Sequence, residues 1–214
     1  MPVDWSLYLV TDRGLSRGRS AAVVVEAALR GGATVVQYRE KAASTRRMIE
    51  EASELAAICR RYGAAFIVND RLDVALAVDA DGLHVGQGDM PADVARRLLG
   101  PGKLLGVSAG SVEEALRAAG EGADYIGASP VFATPTKEDA GPALGLEGLA
   151  AMSTRVSLPV VAIGGINLGN ARALLIAGAA GLAVVSAIVA AEDVEGAARS
   201  LRLAIESWKK EGSR

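Results

Sequence analysis

Glycine–alanine pairs recur along this chain just ahead of short apolar runs: Gly32-Ala33, Gly63-Ala64, Gly122-Ala123 and Gly178-Ala179. A glycine there can end a helix in the left-handed conformation, and the alanine leads into a strand. The punctuation imposes a rhythm of helix, turn and strand. Runs that read as strands cover residues 7–10, 34–37, 65–68, 82–85, 104–107, 125–127, 160–163 and 182–185. Helical periodicity fills the gaps, notably at 21–30, 45–62, 167–177 and 194–208. Ser111-Val112-Glu113-Glu114 is a capping box that opens another helix. Eight β–α units in 214 residues average about 27 residues each, near the roughly 30 of a βαβ unit. The expected architecture is a single-domain (β/α)8 TIM barrel spanning 1–214. A doubly wound open sheet would need fewer strands and an early glycine-rich fingerprint, which is absent.

Composition narrows the function classes. Half of the residues are hydrophobic and only 4% are aromatic, while glycine occurs 25 times, so small side chains must allow close strand–helix packing. Formal net charge is −2, which leaves no basic footprint for nucleic acid. Any affinity for phosphate has to be local. The single cysteine, Cys59, allows no internal disulfide and fits a reducing compartment. No basic-then-apolar leader is visible at the start, and no apolar run long enough for a membrane span is free of Gly or charge. A soluble, cytoplasmic protein is expected. Oligomeric state stays open, and a homo-oligomer is compatible with it.

In a barrel of this kind the active site lies at the carboxyl ends of the strands. Those ends are unusually polar here. Thr11-Asp12-Arg13 follows the first strand, and Gln37-Tyr38-Arg39-Glu40-Lys41 ends the second. Asn69-Asp70-Arg71 follows the third, and Gly86-Gln87-Gly88-Asp89 the fourth. Ser108 ends the fifth, and Thr134-Pro135-Thr136-Lys137 lies beyond the sixth. Gly164-Gly165 follows the seventh strand and Ser186 the eighth. The opposite ends carry mostly Gly-Ala, Arg and Pro. Arg39 offers a planar donor fork and Lys41 a mobile ammonium, together suited to a polyphosphate.

Asp70 and Asp89, 19 residues apart, sit at the ends of neighbouring strands. Either alone is explained as a helix cap. Together, beside Arg39 and Lys41, they read as the carboxylates of a Mg²⁺ site. Gly165 and Ser186 can bring backbone N–H groups to a phosphate. The long segment 134–145 reads as a flap able to bring Lys137 over a ligand. His84, the single histidine, reads as a core or lining residue rather than a proton shuttle, and Cys59 as a packed thiol.

These motifs, in this order and spacing, resemble the thiamine-phosphate synthase family over nearly the full chain. Tyr8-Leu9-Val10-Thr11-Asp12, Gly106-Val107-Ser108 and Val185-Ser186 belong to the same pattern. The resemblance implies a transferase of thiamine biosynthesis that joins a pyrimidine diphosphate to a thiazole phosphate and releases diphosphate. It implies that Gln37, Tyr38, Arg39, Glu40, Lys41 and Asn69 hold the pyrimidine diphosphate, and that Asp70 and Asp89 hold Mg²⁺. Ser108 would face the pyrimidine and diphosphate, and Lys137 would close on the diphosphate. Thr134, Pro135, Thr136, Gly165, Val185 and Ser186 would hold the thiazole phosphate. Arg39, Ser108 and Lys137 are the implied catalytic groups. For Glu40 a salt bridge orienting Arg39 or Lys41 is the default. The chain departs from many relatives at Gly110, where a larger residue is common. It departs from the related thiazole tautomerases at Pro130, where those carry a histidine. An isomerase-type phosphate barrel and a non-catalytic thiamine-phosphate binder are the alternatives.

Overall fold

A computed structural model of the chain describes residues 3–134, 136 and 141–212. The eight strands are β1 (Leu7–Val10), β2 (Val35–Tyr38), β3 (Ala65–Asn69), β4 (Gly82–Val85), β5 (Leu104–Ala109), β6 (Tyr125–Ala128), β7 (Val160–Ile163) and β8 (Gly181–Val184). They pair in parallel, in sequence order, and β8 returns to β1 to close the barrel. Around them lie α1 (Ala21–Arg30), α2 (Thr45–Tyr62), α3 (Leu72–Ala77), α4 (Ala92–Leu99), α5 (Val112–Gly120), α6 (Gly145–Arg155), α7 (Ala171–Ile176), α8 (Ser186–Val189) and α9 (Val194–Gly212). No described helix is long and apolar enough to cross a membrane.

The four Gly-Ala junctions work as expected. Gly32, Gly63, Gly122 and Gly178 have φ between 67° and 100°, a region that side chains with a Cβ avoid. Ser20 caps α1 by accepting a hydrogen bond from Val23 N, and Ser44 caps α2 through Arg47 N. Both helices have the ends expected from the sequence. Ser111 caps α5 through Glu114 N, but the Glu114 carboxylate bonds Gly110 N–H, one residue beyond the reciprocal capping-box partner.

Several details differ from expectation: β3, β5 and β6 run one or two residues past 68, 107 and 127, and α9 continues to Gly212 instead of 208. β2 and β8 are displaced by one residue from the expected 34–37 and 182–185. α7 begins at Ala171 instead of 167, because Asn167 and Asn170 bond nearby backbone N–H groups and hold a turn. α8 is an additional four-residue helix directly after β8. The expected flap, 134–145, includes residues 135 and 137–140, which lie outside the described residues.

Strand geometry sorts side chains between two cores, because successive residues point to opposite faces. Tyr8, Val10, Val35, Ile67, Tyr125, Val161 and Ala183 fill the barrel interior. Leu7, Leu9, Val36, Tyr38, Phe66 and Leu83 join the larger core between barrel and helices. Cys59 is fully buried in that outer core, where burial pushes its thiol up to about 12. Trp5 closes the amino end of the interior, its ring centroid 4.4 Å from that of Tyr125.

Room for the Tyr125 ring comes from Gly106 on the neighbouring strand. A Cβ added at Gly106 would lie 2.1 Å from Tyr125 Cζ. Gly106→Ala is therefore expected to lower stability by about 1–3 kcal/mol, the usual range for overpacking a core. Urea unfolding measures this, and an unchanged midpoint would show that the Tyr125 ring yields without strain.

Candidate active site

At the carboxyl end of the barrel is a cavity of about 590 Å³, within the size range of small-molecule sites. Every strand contributes to it. Of the residues singled out from sequence, Gln37, Arg39, Lys41, Asn69, Asp70 and Asp89 line it. Ser108, Thr134, Thr136, Gly165, Val185 and Ser186 line it as well. Pro135 and Lys137 lie outside the described residues.

Tyr38 and Glu40 are placed elsewhere, and strand parity is the reason. Gln37, Arg39 and Lys41 share the inward phase of β2 and its extension, while Tyr38 and Glu40 take the outward one. The Tyr38 hydroxyl donates to Glu51 Oε2 at 2.9 Å, on α2. Glu40 pairs with Arg13 at 2.6 Å rather than with Arg39 or Lys41. Arg13 also reaches Glu51, at 2.6 Å, which joins both outward residues to one network. Burial pushes the Glu40 carboxyl up, but the Ala42 N–H and Arg13 outweigh this and hold it below its ordinary value. The two residues thus brace the β2–α2 loop from behind.

The inward side of that loop is held by β1. Thr11 N donates to Gln37 O at 2.9 Å, and Arg39 N donates to Thr11 Oγ1 at 2.9 Å. Asp12 lies 3.4 Å from the Arg39 guanidinium. These contacts carry the strand alternation past Tyr38 and aim Arg39 at the cavity.

Asp70 and Asp89 are not helix caps. The residue capping α3 is Arg71, that capping α4 is Pro91, and neither helix start has a side-chain cap bond. Asp89 Oδ2 instead accepts the Gly86 N–H at 2.8 Å. Asp70 adopts φ 61°, uncommon for any residue with a Cβ. Its carboxyl is within hydrogen-bonding reach of Asp89. Burial and then the neighbouring Asp89 raise the Asp70 carboxyl to about 6, against an opposing pull from Lys41 and Arg39.

The cavity floor contains His84, expected as a core or lining residue, and two tyrosines to which the sequence assigned no separate role in the site. Tyr8, Tyr125 and His84 line it. His84 Nδ1 is 2.9 Å from Tyr125 Oη, and its Nε2 is 2.9 Å from Ser108 Oγ. Gln87, on the rim, donates to Ser108 O at 2.7 Å. The inward phase of β1 and β6 was the available signal for the tyrosines. Gly110 also lines the cavity, and an added Cβ there would meet only ordinary contacts at 3.6 Å, so this backbone has room for a small side chain at that position. Gly164 and Gly165 have positive φ and pack so closely on Pro130 and Phe132 that a Cβ would collide with them.

Comparison with known proteins identifies the family. Residues 7–188 match the family described as thiamine monophosphate synthase. The chain belongs to that family. It is 66% identical over 200 residues to the thiamine-phosphate synthase of Chloroflexus aurantiacus, covering 94% of this chain and 92% of that protein. Identity to the thiamine-phosphate synthase of Methanocella arvoryzae is 52% over 210 residues, covering 98% and 99% of the two chains. The solved thiamine phosphate pyrophosphorylase from Pyrococcus furiosus superposes with a TM-score of 0.89 at 47% identity, covering 96% of this chain and 97% of that one. A 3-hexulose-6-phosphate synthase, at 19% identity and TM-score 0.66, shares the fold. The activity is accordingly that of a thiamine-phosphate synthase, a transferase of thiamine biosynthesis acting on small molecules.

The Asp pair gives a pH signature in metal-free protein. An acid whose folded pKa lies above its unfolded value costs stability as pH rises through that window, here from the ordinary 3.8 to about 6. Asp70→Asn removes the buried charge and its repulsion from Asp89, and asparagine tolerates the positive φ. The variant should melt higher than the native protein at pH 7.5 and show little advantage near pH 4. An advantage that does not change with pH would exclude the charge on Asp70 as its source.

Proposed function

We propose that the cavity joins 4-amino-2-methyl-5-hydroxymethylpyrimidine diphosphate to a thiazole phosphate by dissociative substitution. The bond between the pyrimidine methylene carbon and the diphosphate oxygen breaks, and its electron pair leaves with diphosphate. The thiazole nitrogen then donates its lone pair to the methylene cation, forming thiamine phosphate. No side-chain nucleophile is required. The demand on the protein is to stabilise negative charge on the leaving group and to hold two substrates in line.

One observation carries this reading: two uncapped, mutually repelling carboxylates share the cavity mouth with Arg39 and Lys41. The donor set fits Mg²⁺. No cluster of three or more His, Cys, Asp or Glu suited to a metal is assembled among the described residues. A pair of carboxylates matches an ion that keeps several waters and takes phosphate oxygens from its substrate. Bound by Asp70 and Asp89, Mg²⁺ supplies charge neutralisation to the diphosphate. Arg39, held by Thr11 and Asp12, offers a donor fork to the same group. Lys41, and Lys137 from the segment beyond β6, add cationic charge, and Asn69 adds an amide. Gln37 and Ser108, deeper in the barrel, face the pyrimidine.

The thiazole phosphate is assigned to the other side, at Gly165, Val185 and Ser186. Phosphate sites built from the loops after strands seven and eight, with a short extra helix, recur in this fold. α8 is such a helix. Thr134 and Thr136, with Pro135 between them, close the same side.

Incubation with both precursors, with and without Mg²⁺, tests the proposal through diphosphate release. Diphosphate release that survives complete removal of divalent cations would remove Mg²⁺ from the reaction. Asp89→Ala is expected to abolish Mg²⁺-dependent turnover with the fold intact, and unchanged kinetics would remove Asp89 from the site. Arg39→Ala should slow turnover by about 10²–10³, the usual cost of one preorganised charge-stabilising group. Weakened thiazole phosphate binding at unchanged kcat would place Arg39 on the other substrate.

A further inference from the structure

Five polar side chains form a continuous hydrogen-bonded line across the barrel interior. Gln37 Nε2 is 2.9 Å from Tyr8 Oη, and Tyr8 Oη is 2.8 Å from Tyr125 Oη. Tyr125 Oη is 2.9 Å from His84 Nδ1, and His84 Nε2 is 2.9 Å from Ser108 Oγ. The line starts on β2 and passes through β1, β6 and β4 to end on β5. Both ends are residues assigned above to the pyrimidine. The three middle members have no place in that assignment. Tyr8 and Tyr125 are about 1% exposed, and His84 8%.

With the Gln37 amide nitrogen donating to Tyr8, one proton order satisfies the line: Tyr8 turns its own proton toward Tyr125. Tyr125 then directs its proton to His84 Nδ1. A neutral imidazole that accepts at Nδ1 carries its proton on Nε2, and that proton goes to Ser108 Oγ. The Ser108 hydroxyl proton is thereby turned toward the cavity as a donor. Burial holds both phenols far above their ordinary range, so neither becomes a phenolate that would reverse the sequence. Space for the line is built into the backbone. A Cβ at Gly127 would lie 3.0 Å from His84 Cε1, and one at Gly106 would meet the Tyr125 ring.

We propose that Tyr8, Tyr125 and His84 are positioning residues that lock the donor direction of Ser108 and the amide of Gln37 toward a flat nitrogen heterocycle bound between them. This rests on the pyrimidine end of the proposed function. The line gives the two contact groups fixed roles before the substrate arrives, so no hydroxyl or amide has to reorient on binding.

The chain contains one histidine, so histidine-selective ¹⁵N labelling of untagged protein reports on this ring alone. In native protein at pH 8 the expected spectrum is a neutral ring protonated at Nε2 and bare at Nδ1. In Tyr125→Phe, where Nδ1 has lost its donor, the ring should pass to a mixture of tautomers. The same variant should lose about tenfold in kcat, a cost typical of losing a partner that orients an active-site ligand, with KM for thiazole phosphate near the native value. Tyr8→Phe should leave the histidine tautomer in place, because Tyr125 keeps its proton, while kcat falls through loss of the Gln37 contact. A native ring protonated at Nδ1 would reverse the line and overturn the proposal. So would an unchanged spectrum and unchanged kcat in Tyr125→Phe. Should Tyr125→Phe fail to fold, the native tautomer and the Tyr8→Phe kinetics decide. The tautomer is read on ligand-free protein, so failure of the substrate assignment leaves a distinct result: an Nε2–H ring in a protein that does not release diphosphate.

Discussion

Closure of eight parallel strands is the constraint on which everything else depends. With β8 bonded to β1, each strand residue faces either a narrow interior or the surrounding helices, and no edge offers a third choice. Parity then becomes chemistry. Gln37 points inward, so Arg39 and Lys41, two and four residues on, also face the mouth. Tyr38 and Glu40 are committed to α2 and Arg13 by the same rule. The alternation survives past the end of β2 because Thr11 holds the backbone on both sides of Tyr38. A contact between β1 and β2 therefore decides where a guanidinium on the next loop can act.

Electrostatics is graded along the barrel axis. The mouth gathers Asp70, Asp89, Arg39 and Lys41, groups whose charges act on one another. One layer below, the polar groups are neutral and hydrogen-bonded in series, and below them Trp5 closes the interior. The mouth is where developing charge on a phosphate group can be met. The neutral layer is where an uncharged ring can be oriented without the desolvation cost of a buried ion. Formal net charge near zero is no obstacle, because both signs are concentrated locally where the substrates need them.

Much of this was legible in the amino-acid order, since it depended on local physics. The Gly-Ala junctions announce left-handed helix ends, and the Ser111 capping box announces α5, so eight units could be counted before any contact was known. The ring of polar strand ends located the mouth for the same reason. Tyr38 and Glu40 were misplaced because the family motif presents 37–41 as one block, whereas the strand divides it by parity. α8 escaped notice because four residues show no periodicity. Asn167 and Asn170 displaced the start of α7 because their side chains compete with helix formation. What no local pattern contained was the line from Gln37 to Ser108. Its neighbours come from five strands, and its distances exist only once the barrel has closed.

The line also explains part of the unusual composition. An eight-stranded barrel has an interior that side chains just fill, and here two tyrosine rings and an imidazole occupy it. Their volume has to be matched by small residues on the facing positions, and Gly106 and Gly127 are those residues. Glycine in a strand interior weakens the strand by about 0.5–1 kcal/mol relative to alanine, so stability alone would disfavour both. The large rings and the missing side chains are therefore one feature, a polar layer built into a barrel centre that aliphatic packing would otherwise fill. In a chain with four tyrosines and one histidine, placing two of the former and the latter on a single hydrogen-bonded line is a strong commitment to orientation within the site.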